Sequence, residues 1–126
     1  EQNRFRILLE TARAVRGAVP DDIAVGVRLS CSDWAPGGVD IDASVRLSAE
    51  LKKMSMDFID CSSGGLVPDA KIITGPGYQV PFAEKIRQEA DISVFAVGMI
   101  TEPRQADDII RQSQADMVLL ARAMLS

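Results

Sequence analysis

Residues Ala24 to Ser30, AVGVRLS, decide the fold. Val25, Val27 and Leu29 form one apolar set, while Ala24, Gly26, Arg28 and Ser30 fall on the opposite face. That is the period of two expected of a strand. Such strands alternating with helices imply a parallel α/β architecture, either a doubly wound open sheet or a (β/α)8 barrel. An open sheet of the dinucleotide-binding kind follows its first strand with a GxGxxG turn. Here Cys31, Ser32, Asp33 and Trp34 follow instead. Small residues with one cation on a single face match a crowded barrel interior, so the reading favours the barrel.

The same alternation extends in both directions. Phe5, Leu8, Leu9, Ala12 and Val15 keep helical spacing, and Gly17 with Pro20 closes that helix. Gly37 and Gly38 form a loop, and Asp40 is placed to cap a helix from about Ile41 to Lys53. Asp57 to Cys61 is a second strand, followed by Ser62, Ser63, Gly64 and Gly65. After a loop containing Gly75, Pro76 and Gly77, residues Val80, Phe82, Ala83 and Ile86 mark a third helix. Ser93 to Val97 is a third strand, Thr101 with Pro103 opens a helix through about Gln112, and Asp116 to Leu120 is the last strand. Helix and strand thus alternate four times, which implies parallel strands joined by helical crossovers. A full barrel takes about 250 residues, so the whole chain, residues 1–126, is expected to be half of a TIM barrel. Ala24, Phe58, Val94, Ala96 and Leu119 are expected on its interior face. A helix already begins at Glu1 to Phe5 and another starts just before Ser126, so the chain reads as a piece of a larger protein.

Composition narrows the function. The 126 residues carry a formal charge of -4 and no histidine. The charge argues against a nucleic-acid platform. No apolar run is long enough to span a membrane, and no secretion signal is readable. Without histidine, this chain supplies no imidazole metal ligand and no Ser-His or Cys-His pair. Cys31 and Cys61 read as two reduced thiols of a cytoplasmic protein, without a neighbouring base that would make either a nucleophile.

Two features carry chemistry. Arg28 is a guanidinium inside an apolar strand, near the carboxyl end where barrel active sites lie. It meets either an anionic ligand or Asp60, which would point inward from the neighbouring strand. Small residues also gather at strand ends: Ser62 to Gly65, Gly98, and Ala121 beside Arg122. Loops after the last two barrel strands frequently hold a phosphate through backbone N–H groups, and Arg122 can add a charge-assisted bond.

The runs VRLSCSDW (Val27 to Trp34), DFIDCSSGG (Asp57 to Gly65), PGYQVPFAEKIR (Pro76 to Arg87), AVGMIT (Ala96 to Thr101) and LLARAML (Leu119 to Leu125) resemble the Old Yellow Enzyme family. The likeness is greatest to its bacterial NADPH dehydrogenase and xenobiotic reductase branch, the YqjM-like ene-reductases. Asn3, Arg4 and Phe5 match that family's entry to the helix before its fifth strand. The resemblance runs in order through essentially the whole chain.

The resemblance implies an FMN-binding barrel of which this is the second half, strands five to eight. It places Arg28 at the N1 and O2 edge of the flavin, where a cation stabilises charge on the reduced ring. It places Gly98, Ala121 and Arg122 at the FMN phosphate and Ser63 near the ribityl chain. Ala121 stands where the family has glycine, which raises a question about the local φ. The family's substrate-anchoring histidine pair, catalytic tyrosine and flavin-tuning cysteine belong to the other half, and Tyr78 is not that tyrosine. No catalytic residue and no metal ligand is therefore expected in this segment. Trp34 is read as loop packing. The implied enzyme uses NADPH to reduce FMN, acts on small activated alkenes such as enones, and is expected to be a homo-oligomer when intact. A phosphate-binding barrel enzyme without flavin, and a half barrel that only associates with partners, remain as alternatives.

Overall fold

The computed structural model describes residues 2–125. Its four strands, β1 (Gly26–Ser30), β2 (Phe58–Ser62), β3 (Ser93–Ala96) and β4 (Met117–Val118), form one parallel sheet in the order β1-β2-β3-β4. Helix α1 (Gln2–Ala18) precedes β1, and α2 (Ile41–Lys53), α3 (Val80–Ala90) and α4 (Pro103–Arg111) form the crossovers. Parallel crossovers are right-handed, so strands taken in unbroken order put every crossover helix on the same face. A doubly wound sheet would reverse its order at a switch point. None occurs among the described residues, and the sheet is half of an α/β barrel with one face left open.

Alternating burial confirms which face is covered. Leu29, Ile59, Cys61, Val94 and Ala96 are buried beneath the helices with Leu47, Leu51, Ala83 and Ile86. Each large aliphatic side chain so enclosed contributes roughly 1.5–3 kcal/mol. Gly26, Phe58, Asp60 and Phe95 occupy the open face with Arg28. There the Phe58 and Phe95 rings stack with centroids 4.3 Å apart and planes within 7°. Gly26 makes room for this, because a Cβ there would lie 2.3 Å from the Phe58 ring.

Two expectations are corrected. Val94 and Ala96 do not face the interior of the half barrel, because the register pairs Asp60 with Phe95 and turns Val94 and Ala96 toward the helices. The last strand is also shorter than Asp116 to Leu120, although the Leu119 N–H still donates to the Ala96 carbonyl at 2.8 Å. Helix α2 has the expected bounds, and the Asp40 carboxylate caps it by accepting from the Ala43 N–H at 2.8 Å. Ser44 in its first turn is buried and donates to the Cys31 carbonyl at 3.1 Å, tying the helix to the end of β1. No helix among the described residues is long and apolar enough to cross a membrane.

Candidate functional site

The carboxyl ends of all four strands, with their loops, build one end of the molecule. β3 leaves the sheet at Ala96, and Gly98 turns the backbone with φ 116°, followed by Met99 at φ 50°. A Cβ at position 98 would lie 2.6 Å from Gln79 Nε2, so glycine is required by space as well as by φ. Beside this turn, the residues after β4 complete an open cleft of about 390 Å³ whose lining includes Gly98, Thr101, Leu119, Ala121 and Arg122. Three of the four expected site residues, Gly98, Ala121 and Arg122, therefore meet in one place. Ala121 has φ -119° and needs no glycine, which answers the question its identity raised. Arg122 is exposed at the rim.

Arg28 stands apart, two strands from β3, and does not line this cleft. Its Nη1 lies 2.8 Å from Asp60 Oδ2 and its Nη2 3.3 Å from Ser62 Oγ. The ion pair read from the sequence is thus formed. The arginine side chain nonetheless remains 58% exposed on the open face. Strand spacing of about 4.8 Å puts Arg28 roughly 10 Å or more from the Gly98 turn, so a ligand touching both is elongated and lies across the strand ends.

The loops between these points are tied together. Trp34, at φ 56°, holds a backbone conformation that a bulky side chain seldom adopts. Its N–H donates to Ser32 Oγ at 3.1 Å, and its indole Nε1 donates to Ser63 Oγ at 3.0 Å. The ring packs edge-on against Phe82, with centroids 5.6 Å apart, and tilts against Tyr78 at 6.5 Å. These contacts support loop packing for Trp34 and occupy Tyr78 in the same cluster. The sequence reading missed Gln79, which is buried among these loops. The only signal for it was its place inside the PGYQ run.

Neither cysteine offers a nucleophile. Both are free and fully buried on the helix side of the sheet, and hydrogen bonding to Cys31 together with burial pushes the Cys61 thiol far above its ordinary range. Among the described residues no cluster of Cys, Asp or Glu could hold a metal ion.

With this geometry in hand, the comparisons with known proteins are specific. The model of the NADH:flavin oxidoreductase / NADH oxidase family matches residues 1–126. A protein named NADPH dehydrogenase from Geobacillus sp. (strain WCH70) is 48% identical over 98% of this chain, and one of the same name from Bacillus subtilis (strain 168) is 42% identical over 98%. The chain spans 36% of the length of each. Among solved structures, a mandelate racemase/muconate lactonizing protein from Paracoccus denitrificans PD1222, complexed with magnesium, matches with a TM-score of 0.56 and 21% identity over 87% of this chain and 25% of its own. That likeness concerns the fold alone.

Proposed function

The chain belongs to the NADH:flavin oxidoreductase / NADH oxidase family, as its Old Yellow Enzyme motifs implied, and from that premise we propose that it is the FMN-holding half of an NADPH-dependent oxidoreductase. The enzyme is proposed to reduce activated alkenes such as enones. The observation that carries this reading is the cleft that joins Gly98, Ala121 and Arg122. Its chemistry suits the phosphate of FMN, since the open cleft runs past the Gly98 turn and the exposed Arg122 brings a positive charge. FMN, when bound, supplies hydride transfer between the nicotinamide and the alkene.

The residues of this chain bind and orient. Backbone N–H groups at Gly98 and Ala121 would hold the phosphate, and Arg122 would add a charge-assisted bond. Arg28, anchored by Asp60, would offer its remaining N–H groups to the edge of the flavin ring. Polarising the alkene and delivering a proton are assigned to residues outside this segment, as the family resemblance implies, and this segment has no histidine for either task.

The test is optical. The purified chain is titrated with FMN while the emission of Trp34, its single tryptophan, is followed. NADPH-driven reduction of cyclohexenone is then assayed. Saturable quenching without turnover is the expected result. Absence of FMN uptake would defeat the cofactor reading, and turnover at the rate of an intact relative would defeat the division of labour.

A further inference from the structure

Gln79 is a polar side chain buried to 3% exposure just ahead of α3, and it belongs to a motif that cofactor contacts leave unexplained. Its amide joins three loops. Trp34 Nε1 donates to Ser63 Oγ at 3.0 Å, Ser63 Oγ donates to Gln79 Oε1 at 2.7 Å, and Gln79 Nε2 donates to the Val97 carbonyl at 3.0 Å. The direction of this chain of bonds is fixed at both ends. An indole N–H only donates and a backbone carbonyl only accepts, so the amide has one orientation. Bonds aligned head to tail also polarise one another.

The geometry points to Gln79 as the positioning residue of the Gly98 turn, an inference that rests on reading the adjoining cleft as the phosphate site. Gln79 holds the carbonyl immediately before Gly98, and its Nε2 fills the space 2.6 Å from where a Cβ at 98 would stand. On the other side of the turn, the Gly77 N–H donates to the carbonyls of Gly98 and Met99 at 3.1 and 3.3 Å. Gly77 and Gln79 sit two residues apart, so the PGYQ run clamps the turn from both sides. Clamping is needed because Met99, which is not a glycine, is held at φ 50° next to Gly98, and such backbone persists only where its surroundings over-determine it. Backbone N–H groups that recognise an anion bind best when their directions are set in advance. Gln79 therefore governs recognition of the phosphate and not of the flavin ring.

Two variants test this. Gln79→Met removes both bonds at similar volume, and Gln79→Glu keeps an acceptor for Ser63 while losing the donor to Val97. FMN and riboflavin, which lacks the phosphate, are titrated into each and followed by flavin fluorescence. FMN affinity is expected to fall about tenfold in both variants while riboflavin affinity stays within about twofold. Equal weakening of both flavins, or unchanged FMN affinity, overturns the inference. If the unsubstituted chain takes up neither flavin, the cofactor reading fails, and the positioning role is decided by amide exchange. Exchange of the Gly77 N–H is then expected to quicken about tenfold in both variants, with the Val94 N–H unchanged. Unchanged Gly77 exchange, or equal quickening at Val94, overturns it.

Discussion

Arg28 and Asp60 are register partners across β1 and β2, and their side chains meet at 2.8 Å on the open face of the sheet. The bonds to Asp60 and Ser62 use two of the five N–H donors of the guanidinium. An ion pair and a ligand contact are therefore compatible: the carboxylate holds the arginine upright and leaves the rest of its fork available. Arg28→Ala in the full-length enzyme is expected to weaken FMN and slow its reduction, at a cost of about 1.5–3 kcal/mol for a charge-assisted bond. Asp60→Asn, which keeps a hydrogen-bond acceptor, should cost less. Stopped-flow reduction by NADPH compares the two, and an Asp60→Asn effect as large as that of Arg28→Ala would assign the arginine to structure alone.

At the proposed phosphate cleft, backbone and charge can be separated. Gly98→Ala places a methyl group against Gln79 at a φ that alanine tolerates poorly, and it should destabilise the turn by more than about 1 kcal/mol. Ala121→Gly should change FMN affinity by less than about 1 kcal/mol, because φ -119° suits either residue. Arg122→Ala should weaken FMN more than Ala121→Gly does, through the lost charge-assisted contact. Calorimetric titration ranks them, and the opposite order at 121 and 122 would mean that conformation rather than charge holds the anion.

The opposite end of the sheet carries a repeated latch. Asp57 Oδ2 accepts from the Val25 N–H at 2.7 Å and pairs with Arg16 of α1 at 3.4 Å. Asp116 accepts from the Val94 N–H at 2.9 Å and pairs with Arg87 of α3 at 3.0 Å. Each carboxylate thus joins a helix end to the start of a strand. Asp116→Ala should lower stability by about 1.5 kcal/mol, the low end for bonds to a charged group, because the pair is about a third exposed. Glu10→Ala, which breaks an exposed pair with Arg6 within one helix, should cost about 0.5 kcal/mol or less. Urea unfolding measures both, and equal effects would remove the latch.

The sequence made the architecture legible where polarity marked a face. In AVGVRLS, Arg28 labels the open side, so the faces of β1 are read correctly. SVFAV carries no such label: both faces are apolar, and only the register of Asp60 with Phe95 shows that Val94 and Ala96 point to the helices. That Gly98, Ala121 and Arg122 share a cleft was legible because small residues collect at the strand ends, which a barrel brings to one side. Gln79 was not, because a glutamine ahead of a helix is usually solvated, and its burial depends on Ser63 and Val97 arriving from distant segments. The left-handed Trp34 was hidden for the same reason.

The open face has a consequence for the isolated chain. Phe58 and Phe95 stack on it half-buried, and among the described residues β1 and β4 are the outer strands, each with one unpaired edge. Such edges and apolar faces promote pairing between copies. Sedimentation is expected to show self-association, weakened by Phe95→Lys. A monomer at all concentrations would count against an uncovered apolar face.

The most direct measurement of the central claim, that this segment holds FMN across its strand ends, is a set of backbone amide shifts recorded as FMN is added to the labelled chain. The largest changes are expected at Gly98, Ala121 and Arg122, with a second group around Arg28 and smaller changes at Val25 and Val94 on the opposite end. Shifts centred on that opposite end, or none at Gly98 and Arg122 at saturating FMN, would contradict it.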